Sequence, residues 1–329
     1  MTTESAIIQP RYTQESHFEQ AINNEVAALW HTRDEGFIKT SDKRQLFWIS
    51  LTSKKHSKAI VVVNGRIECT YKYQELFFDL FQQGYNIYAY DHRGQGLSDR
   101  LVANHDIGYV DEFDDYVDDL ALMVKHFDLD HYKKRYLLGH SMGGNIITRY
   151  VQTHHEQPFD AMAATAPMFG MNLKWYLKPI AMILSQLLTA LHSQPNYAPG
   201  QVPYYAKPFD GNLLSQSPIR YQWFRQLYDT QPQLQVGGAS TRWVWQSIMA
   251  CKQCLLLTRQ IKLPFLLLQA GDDRVVSNPA QIRFIKKLAK TNSHCAMKIV
   301  HHARHELLFE RDEYRNQTLQ TTLDFFAQH

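Results

Sequence analysis

Short apolar runs recur along the chain, each bounded by polar or glycine-containing turns. AIVVVN (59–64), YNIYAYD (85–91), RYLLGHS (135–141), DAMAATAP (160–167), PFLLLQAG (264–271) and AMKIVHHA (296–303) read as short buried strands. They are near-continuous rather than alternating, the pattern of strands covered on both faces. EGFIKT (35–40) and QLFWISL (45–51) suit an earlier antiparallel pair. Between the runs, KYQELFFDLFQQ, FDDYVDDLALMVKHF, NIITRYVQTHH, PAQIRFIKKLAK and NQTLQTTLDFFAQ carry helical spacing. Strand alternating with helix predicts an α/β fold, with a mostly parallel sheet covered by helices on both faces.

One interval breaks the alternation. Between Pro167 and Pro264 no buried strand is evident, and the segment holds prolines, aromatics and helical pieces. An insertion of this size between core strands predicts a helical cap over 169–255, set within a single domain spanning 1–329. Within it, Ile180, Ile183, Leu184, Leu187, Leu188 and Leu191 fall on one helical face. That face suits packing against its own domain, or binding acyl chains and lying on a membrane surface. The neighbouring Lys174, Trp175, Tyr176 and Lys178 are residue types that tolerate a membrane boundary.

Composition adds limits. Of 329 residues, 44% are hydrophobic and 20% charged, which suits a globular protein with a sizeable core. The net charge of +3 is too mild to argue for nucleic acid, and leaves room for weak attraction to an anionic membrane surface. Four cysteines provide no disulfide framework at this length, which points to a reducing compartment. Cys251 and Cys254 form a C-x-x-C, but a zinc site needs a second ligand pair and none has comparable spacing. The doublets His154-His155 and His301-His302 read as surface histidines. No basic stretch followed by an apolar core opens the chain, and no apolar run is long enough to span a bilayer, so a cytoplasmic location is expected.

The candidate chemistry centres on LLGHSMGGNI (137–146). Gly139-His140-Ser141-Met142-Gly143 fits G-x-S-x-G and lies between a predicted strand and a predicted helix, the setting of a nucleophile elbow. The tight turn strains the serine backbone, and small residues at 139 and 143 let neighbouring backbone approach. Gly144 relieves further crowding, and the positive end of the helix dipole points at the serine. A serine hydroxyl needs a base to become a nucleophile. In one recurrent chain order the acid follows the serine and histidine comes last. Asp272-Asp273-Arg274 follows the strand PFLLLQAG, and Arg304-His305-Glu306 follows AMKIVHHA. Asp272 rivals Asp273. His301 and His302 rival His305, but they sit nearer the strand and are expected to point into its flanks. A developing oxyanion needs two backbone donors. Met142, after the serine, supplies one, and Arg66, in the Asn64-Gly65-Arg66 turn, the other. No phosphate-loop, dinucleotide-binding or metal motif competes, so neither cofactor nor metal is expected.

From about residue 35 to the C-terminus the chain resembles the α/β-hydrolase superfamily, in the branch that holds the monoglyceride lipases. NGRIECTYKY, DHRGQGLSDR, GHSMGGNI, AGDDRVVSN and ARHELLFE carry the resemblance. It implies Asp273 rather than Asp272 as the acid and His305 as the base. It also implies structural roles for Asp91, Arg93, Gly94, Gly96 and Ser98. Monoglyceride lipases usually carry His-Gly in the oxyanion turn; here it is Asn64-Gly65-Arg66, while Glu68 and Tyr73 keep the family pattern. The Asn-Gly-Arg form is similar to bacterial lysophospholipases of the second (L-two) type. That likeness implies hydrolysis of the fatty-acyl ester of lysophospholipids and peripheral attachment to the inner face of the cytoplasmic membrane. It further implies acyl transfer to phosphatidylglycerol.

The expected activity is therefore serine esterase action on a single-chain lipid, with the Arg66 side chain as a candidate for the head-group phosphate. Monoacylglycerol lipase is the nearest alternative. A proline iminopeptidase would need acidic cap residues to hold a free amine, and Asp210 and Asp229 are the only carboxylates between Gly170 and Ala250. A non-catalytic ligand-binding relative is a further alternative, since fold does not fix function.

Overall fold

A computed structural model describes residues 11–172 and 195–329. The expected apolar helical face at 180–191, with Lys174, Trp175, Tyr176 and Lys178, lies outside the described residues.

Two short helices, α1 (Phe18–Asn23) and α2 (Glu25–Trp30), precede an antiparallel pair, β1 (Asp34–Lys39) and β2 (Gln45–Leu51). Then follow β3 (Lys58–Val63), α3 (Gln74–Gln82), β4 (Tyr85–Tyr90), α4 (Asp114–Phe127), β5 (Lys134–His140), α5 (Met142–Thr153) and β6 (Ala161–Thr165). Within the interval between Pro167 and Pro264 lie α6 (Pro218–Thr230) and α7 (Thr241–Leu256), and after it come β7 (Phe265–Ala270), α8 (Asn278–Leu288), β8 (Cys295–Val300) and α9 (Asp312–Gln328). The eight strands form one sheet in the order β1-β2-β4-β3-β5-β6-β7-β8. β2 meets β4 antiparallel, and from β4 to β8 every neighbour pair is parallel.

The continuous apolar runs have a packing cause. In β3, Ala59, Val61 and Val63 enter the cluster that includes Val117, Leu120 and Met123 of α4 and Ile146 and Ile147 of α5. Ile60 and Val62 enter the opposite cluster, with Leu76, Phe77 and Leu80 of α3 and Leu319, Leu323 and Phe326 of α9. Alternate side chains thus go to opposite faces, and both faces are covered. Full burial of each such Val, Leu or Ile contributes about 2 kcal/mol.

Two expectations need correction. β8 is an edge strand rather than a fully buried one: Ala296 and Lys298 are exposed, while Cys295 and Met297 pack on the core. Among the described residues it pairs only with β7, which leaves its outer edge without a strand partner, and Lys298 discourages edge-to-edge pairing. His301 and His302 do not point into the strand's flanks. Both are exposed in the turn after β8, where His302 takes φ +62°.

Sequence reading also passed over the N-terminal segment. Thr13 binds Asp79 through its backbone N–H (2.9 Å) and Glu75 through its hydroxyl (2.6 Å). Glu15 accepts from the Ser217 hydroxyl (2.6 Å), and its own backbone N–H donates to Asp312 (2.9 Å). Buried Arg220 on α6 bridges Glu75 (2.8 Å) and Asp312 (2.8 Å), while Arg315 reaches Asp79 at 2.7 Å. This charged network ties α6 to α3 and α9, and so sets where α6 hangs over the sheet's C-terminal edge.

The C-x-x-C cysteines serve packing. Both are buried on α7, where the Cys251 thiol approaches the Met168 carbonyl (3.2 Å) and the Cys254 thiol approaches Asn145 Oδ1 (3.3 Å) on α5. No helix among the described residues is long and apolar enough to cross a membrane.

Candidate active site

Ser141 sits between the end of β5 and the start of α5, at φ +52°, ψ −113°. A non-glycine residue held there stores on the order of 1–3 kcal/mol of backbone strain, which the surroundings must hold in place. Its backbone N–H donates to Thr165 O (3.0 Å), and its carbonyl accepts from Met168 N (2.9 Å) and Asn145 N (3.2 Å). The flanking glycines answer a spatial need. A Cβ on Gly143 would stand 2.1 Å from Val63 O, and one on Gly139 would stand 2.7 Å from Gly143 O. Larger residues would push the elbow away from the end of β3, and with it from the Asn64–Arg66 turn.

His305 and Asp273 reach the same point from the ends of β8 and β7. His305 Nε2 lies 2.9 Å from Ser141 Oγ, and His305 Nδ1 lies 2.8 Å from Asp273 Oδ2. Asp273 Oδ1 accepts from the backbone N–H groups of Val275 (2.8 Å) and Val276 (3.0 Å), so both carboxylate oxygens are engaged. The Asp272 side chain is 63% exposed and points away, which separates the two neighbours. Burial alone would raise the Asp273 carboxyl, but the His305 charge and hydrogen bond and the two N–H donors hold it below the ordinary range. For His305, burial pulls downward, and the Asp273 charge and hydrogen bond outweigh it, so the imidazole sits above its ordinary range.

The turn after β3 is clamped from several sides. Gly65 N–H donates to Glu68 Oε2 (2.6 Å), as does the Tyr73 hydroxyl (2.7 Å). Gln95 Nε2 donates to the carbonyls of Gly65 (2.8 Å) and Glu68 (2.8 Å), and Gln95 Oε1 accepts from Ile67 N (3.1 Å). Gln95 lies inside DHRGQGLSD, yet its role was not read from the sequence, because its partners are some 30 residues upstream. The residues expected to be structural hold that loop. Asp91 accepts from Thr70 N (2.6 Å) and Leu97 N (2.8 Å), Ser98 donates to Asp91 O (2.6 Å), and Arg93 forks onto Asp119 at 2.6 Å.

Beneath the turn lies a buried ionic cluster that the sequence did not reveal. Lys72 Nζ binds Glu68 (2.7 Å) and Glu306 (2.8 Å), the residue after His305. Burial raises Glu68, but the Lys72 charge more than offsets it and keeps that carboxylate ionised. Burial and the Glu68 charge push Glu306 upward. His140, 5.0 Å ring to ring from His305, is driven down to about 4 by burial and is neutral.

These residues open on a cavity of about 720 Å³. Ser141, His305, Met142, Gly65 and Arg66 line its floor; Met168, Met171, Leu214, Val236 and Val276 contribute apolar wall. The Arg66 guanidinium lies over the Trp243 ring (5.0 Å) and donates only to Gly237 O (3.3 Å) among the described residues. Burial pushes it down to about 10, so it is still charged at neutral pH.

A serine hydroxyl, an imidazole and a carboxylate linked in series, at the C-terminal ends of parallel strands, define a serine hydrolase of the α/β-hydrolase fold. The chain belongs to the family described as serine aminopeptidase, S33, whose model matches residues 54–312. It is 36% identical to lysophospholipase L2 of Escherichia coli strain K12 over 322 residues, covering 96% of this chain and 94% of that one. It is 31% identical to the probable lysophospholipase L2 of Haemophilus influenzae, over 82% of this chain and 83% of that one. Among solved structures, a soluble variant of monoglyceride lipase from Saccharomyces cerevisiae shares the fold. The TM-score is 0.71 at 16% identity, over 91% of this chain and 95% of that one.

Proposed function

We propose that this carboxylic ester hydrolase is a lysophospholipase, with Ser141 as nucleophile, His305 as base and Asp273 as the group that orients it. The observation that carries the reading is the Ser141–His305–Asp273 chain at the floor of a cavity. That cavity also holds Arg66, a cation with no carboxylate partner among the described residues. Ser141 Oγ attacks the ester carbonyl carbon as His305 Nε2 takes the hydroxyl proton. The backbone N–H groups of Met142 and Arg66 stabilise the tetrahedral oxyanion. The carbonyl carbon's bond to the glycerol oxygen then breaks, and that oxygen takes the proton from His305. Water, or the hydroxyl of a second lipid, attacks the acyl-enzyme by the reverse proton path. The apolar wall receives the acyl chain, and the Arg66 side chain faces the head-group phosphate. Of the expected cap over 169–255, described residues between 200 and 244 line this cavity, which supports that role. Val202, Tyr205, Leu213 and Val275, exposed at its mouth, support work at a membrane surface.

Monoacylglycerol hydrolysis is the second reading, because the same apolar wall suits either lipid. A peptidase reading finds less support. An amine would need a free carboxylate, and the cavity's Glu68 and Glu306 are both bound to Lys72. Fatty-acid release from lysophosphatidylethanolamine and from monoacylglycerol of the same chain, measured side by side, decides. Preference for the phospholipid is expected, and preference for the neutral lipid would move the assignment to monoacylglycerol lipase.

The pH profile tests the base. His305 must be neutral to accept the serine proton, and its raised pKa keeps it protonated to higher pH than a free imidazole. The kcat/KM for a soluble ester should therefore be flat in mild alkali and fall as pH drops through a midpoint above about 6.5. In Asp273→Asn the residual activity should show that midpoint moved down. A wild-type midpoint below the ordinary value would remove His305 from the role.

A further inference from the structure

The charges lining the cavity do not balance. Five described residues lining it are basic, namely Arg66, Lys72, Lys207, Arg225 and Arg274, and two are acidic, Glu68 and Glu306. Lys72 takes both carboxylates. The remaining cations have no ion-pair partner among the described residues, and the sequence from 173 to 194 contains no Asp or Glu that could supply one. Arg225, on α6, lies over the rings of Tyr221 (4.9 Å) and Phe224 (4.8 Å) and donates from Nη2 to the Tyr221 hydroxyl (2.9 Å). Its Nε is buried with no acceptor among the described residues. The Tyr221 hydroxyl in turn donates to the carbonyl of Lys207 (3.1 Å), which fixes the Lys207 backbone beside Arg225. Burial and the charges of Arg225 and Arg66 all press the Lys207 ammonium downward, so Lys207 feels both guanidinium groups.

Like charges gathered in an aromatic pocket without counter-ions are costly, and an anion placed among them removes the cost. Guanidinium groups and an ammonium are the usual partners of phosphate. We propose that Arg66, Lys207 and Arg225 form the head-group subsite of the cavity, and that it takes the phosphate of a single-chain lipid. Arg66 joins this subsite to the reacting ester, because its own backbone N–H belongs to the oxyanion turn. The inference rests on the lysophospholipase reading and adds Lys207 and Arg225, which line the same cavity, to it. The free carboxylate that an amine ligand would need is missing from the described lining, so the site's chemistry is that of an anion.

Calorimetric binding to the full chain tests this without turnover. The probes are decyl phosphate, decanol and inorganic phosphate, each below its aggregation limit. Decyl phosphate should bind at least about ten-fold tighter than decanol, since a charged hydrogen bond is worth that much or more. Lys207→Gln and Arg225→Gln should each reduce that ratio several-fold, and Arg225→Lys should restore part of it. Lys207 is exposed, so its variant carries the test if Arg225→Gln fails to fold. Equal affinity for decyl phosphate and decanol, or variants that weaken both probes alike, would overturn the subsite. Inorganic phosphate binding as tightly as decyl phosphate would assign the site to free phosphate and overturn the lipid head group. Because no probe is a substrate, failure to hydrolyse lysophospholipid would count against the proposed function alone.

Discussion

Ser141→Ala should abolish ester hydrolysis, lowering kcat by about 10⁴-fold or more while the fold persists. The two expectations come from separate parts of the geometry. On the proposed mechanism the activity depends on one oxygen, 2.9 Å from His305 Nε2, and alanine removes it. The fold depends on the backbone at φ +52° and on the Thr165, Met168 and Asn145 hydrogen bonds, and alanine keeps all of these. The lost side-chain hydrogen bond should cost about 1 kcal/mol, so the melting temperature should move by only a few degrees. Steady-state release of fatty acid, with thermal melting on the same preparation, separates the two. Undiminished hydrolysis in Ser141→Ala would sink the mechanism. Lost activity with a collapsed melting transition would show instead that the elbow cannot hold its strain without the hydroxyl.

The largest effect on stability should come from Lys72→Met. Lys72 is 2% exposed, and its partners Glu68 and Glu306 are 5% and 4% exposed. Methionine fills most of the volume but leaves two carboxyl groups facing each other without a cation. Breaking one side of a buried ion pair typically costs about 3–5 kcal/mol. Glu68 also accepts from Gly65 N–H, and Glu306 follows His305, so activity should fall in whatever fraction stays folded. Urea unfolding of Lys72→Met beside the triple variant Lys72→Met, Glu68→Gln, Glu306→Gln checks the cause. The triple variant should recover part of the loss, because it removes the uncompensated charge. A loss below about 1 kcal/mol in Lys72→Met would mean that the cluster adds little to the fold.

The strands and helices of the sheet were legible because burial on both faces writes continuous apolar runs, as in Ile60, Val61 and Val62. β8 was misread for a related reason. Its run of Met297, Ile299 and Val300 is short, and an edge strand with one covered face differs from a buried one by only a residue or two, here Ala296 and Lys298. The G-x-S-x-G turn was legible because its glycines answer to contacts that no side chain can share, such as Gly143 against Val63 O. Asp272 and Asp273 were not separable by type or position alone. Which of them turns inward is settled by the backbone path after β7, which gives Asp273 the Val275 and Val276 N–H groups and leaves Asp272 in solvent.

By itself the sequence determined the alternation of strand and helix, the elbow, and the order in which serine, acid and histidine leave their strands. The alternation is a local periodicity and the G-x-S-x-G spelling a local motif, although the motif's glycines answer both to Gly143 O four residues on and to Val63 O on a neighbouring strand. Only the tertiary structure decided that Ser141, His305 and Asp273 meet within hydrogen-bond distance, that Gln95 and Glu68 clamp the turn after β3, and that Lys72 joins that turn to the histidine loop. It also decided that Arg66, Lys207 and Arg225 share one cavity. The reason is physical. A charge or a hydrogen-bonding group has no preferred partner along the chain, and Lys72 and Glu306 are 234 residues apart. Such groups find one another only after the sheet has buried its apolar faces and brought the ends of its strands to a common edge.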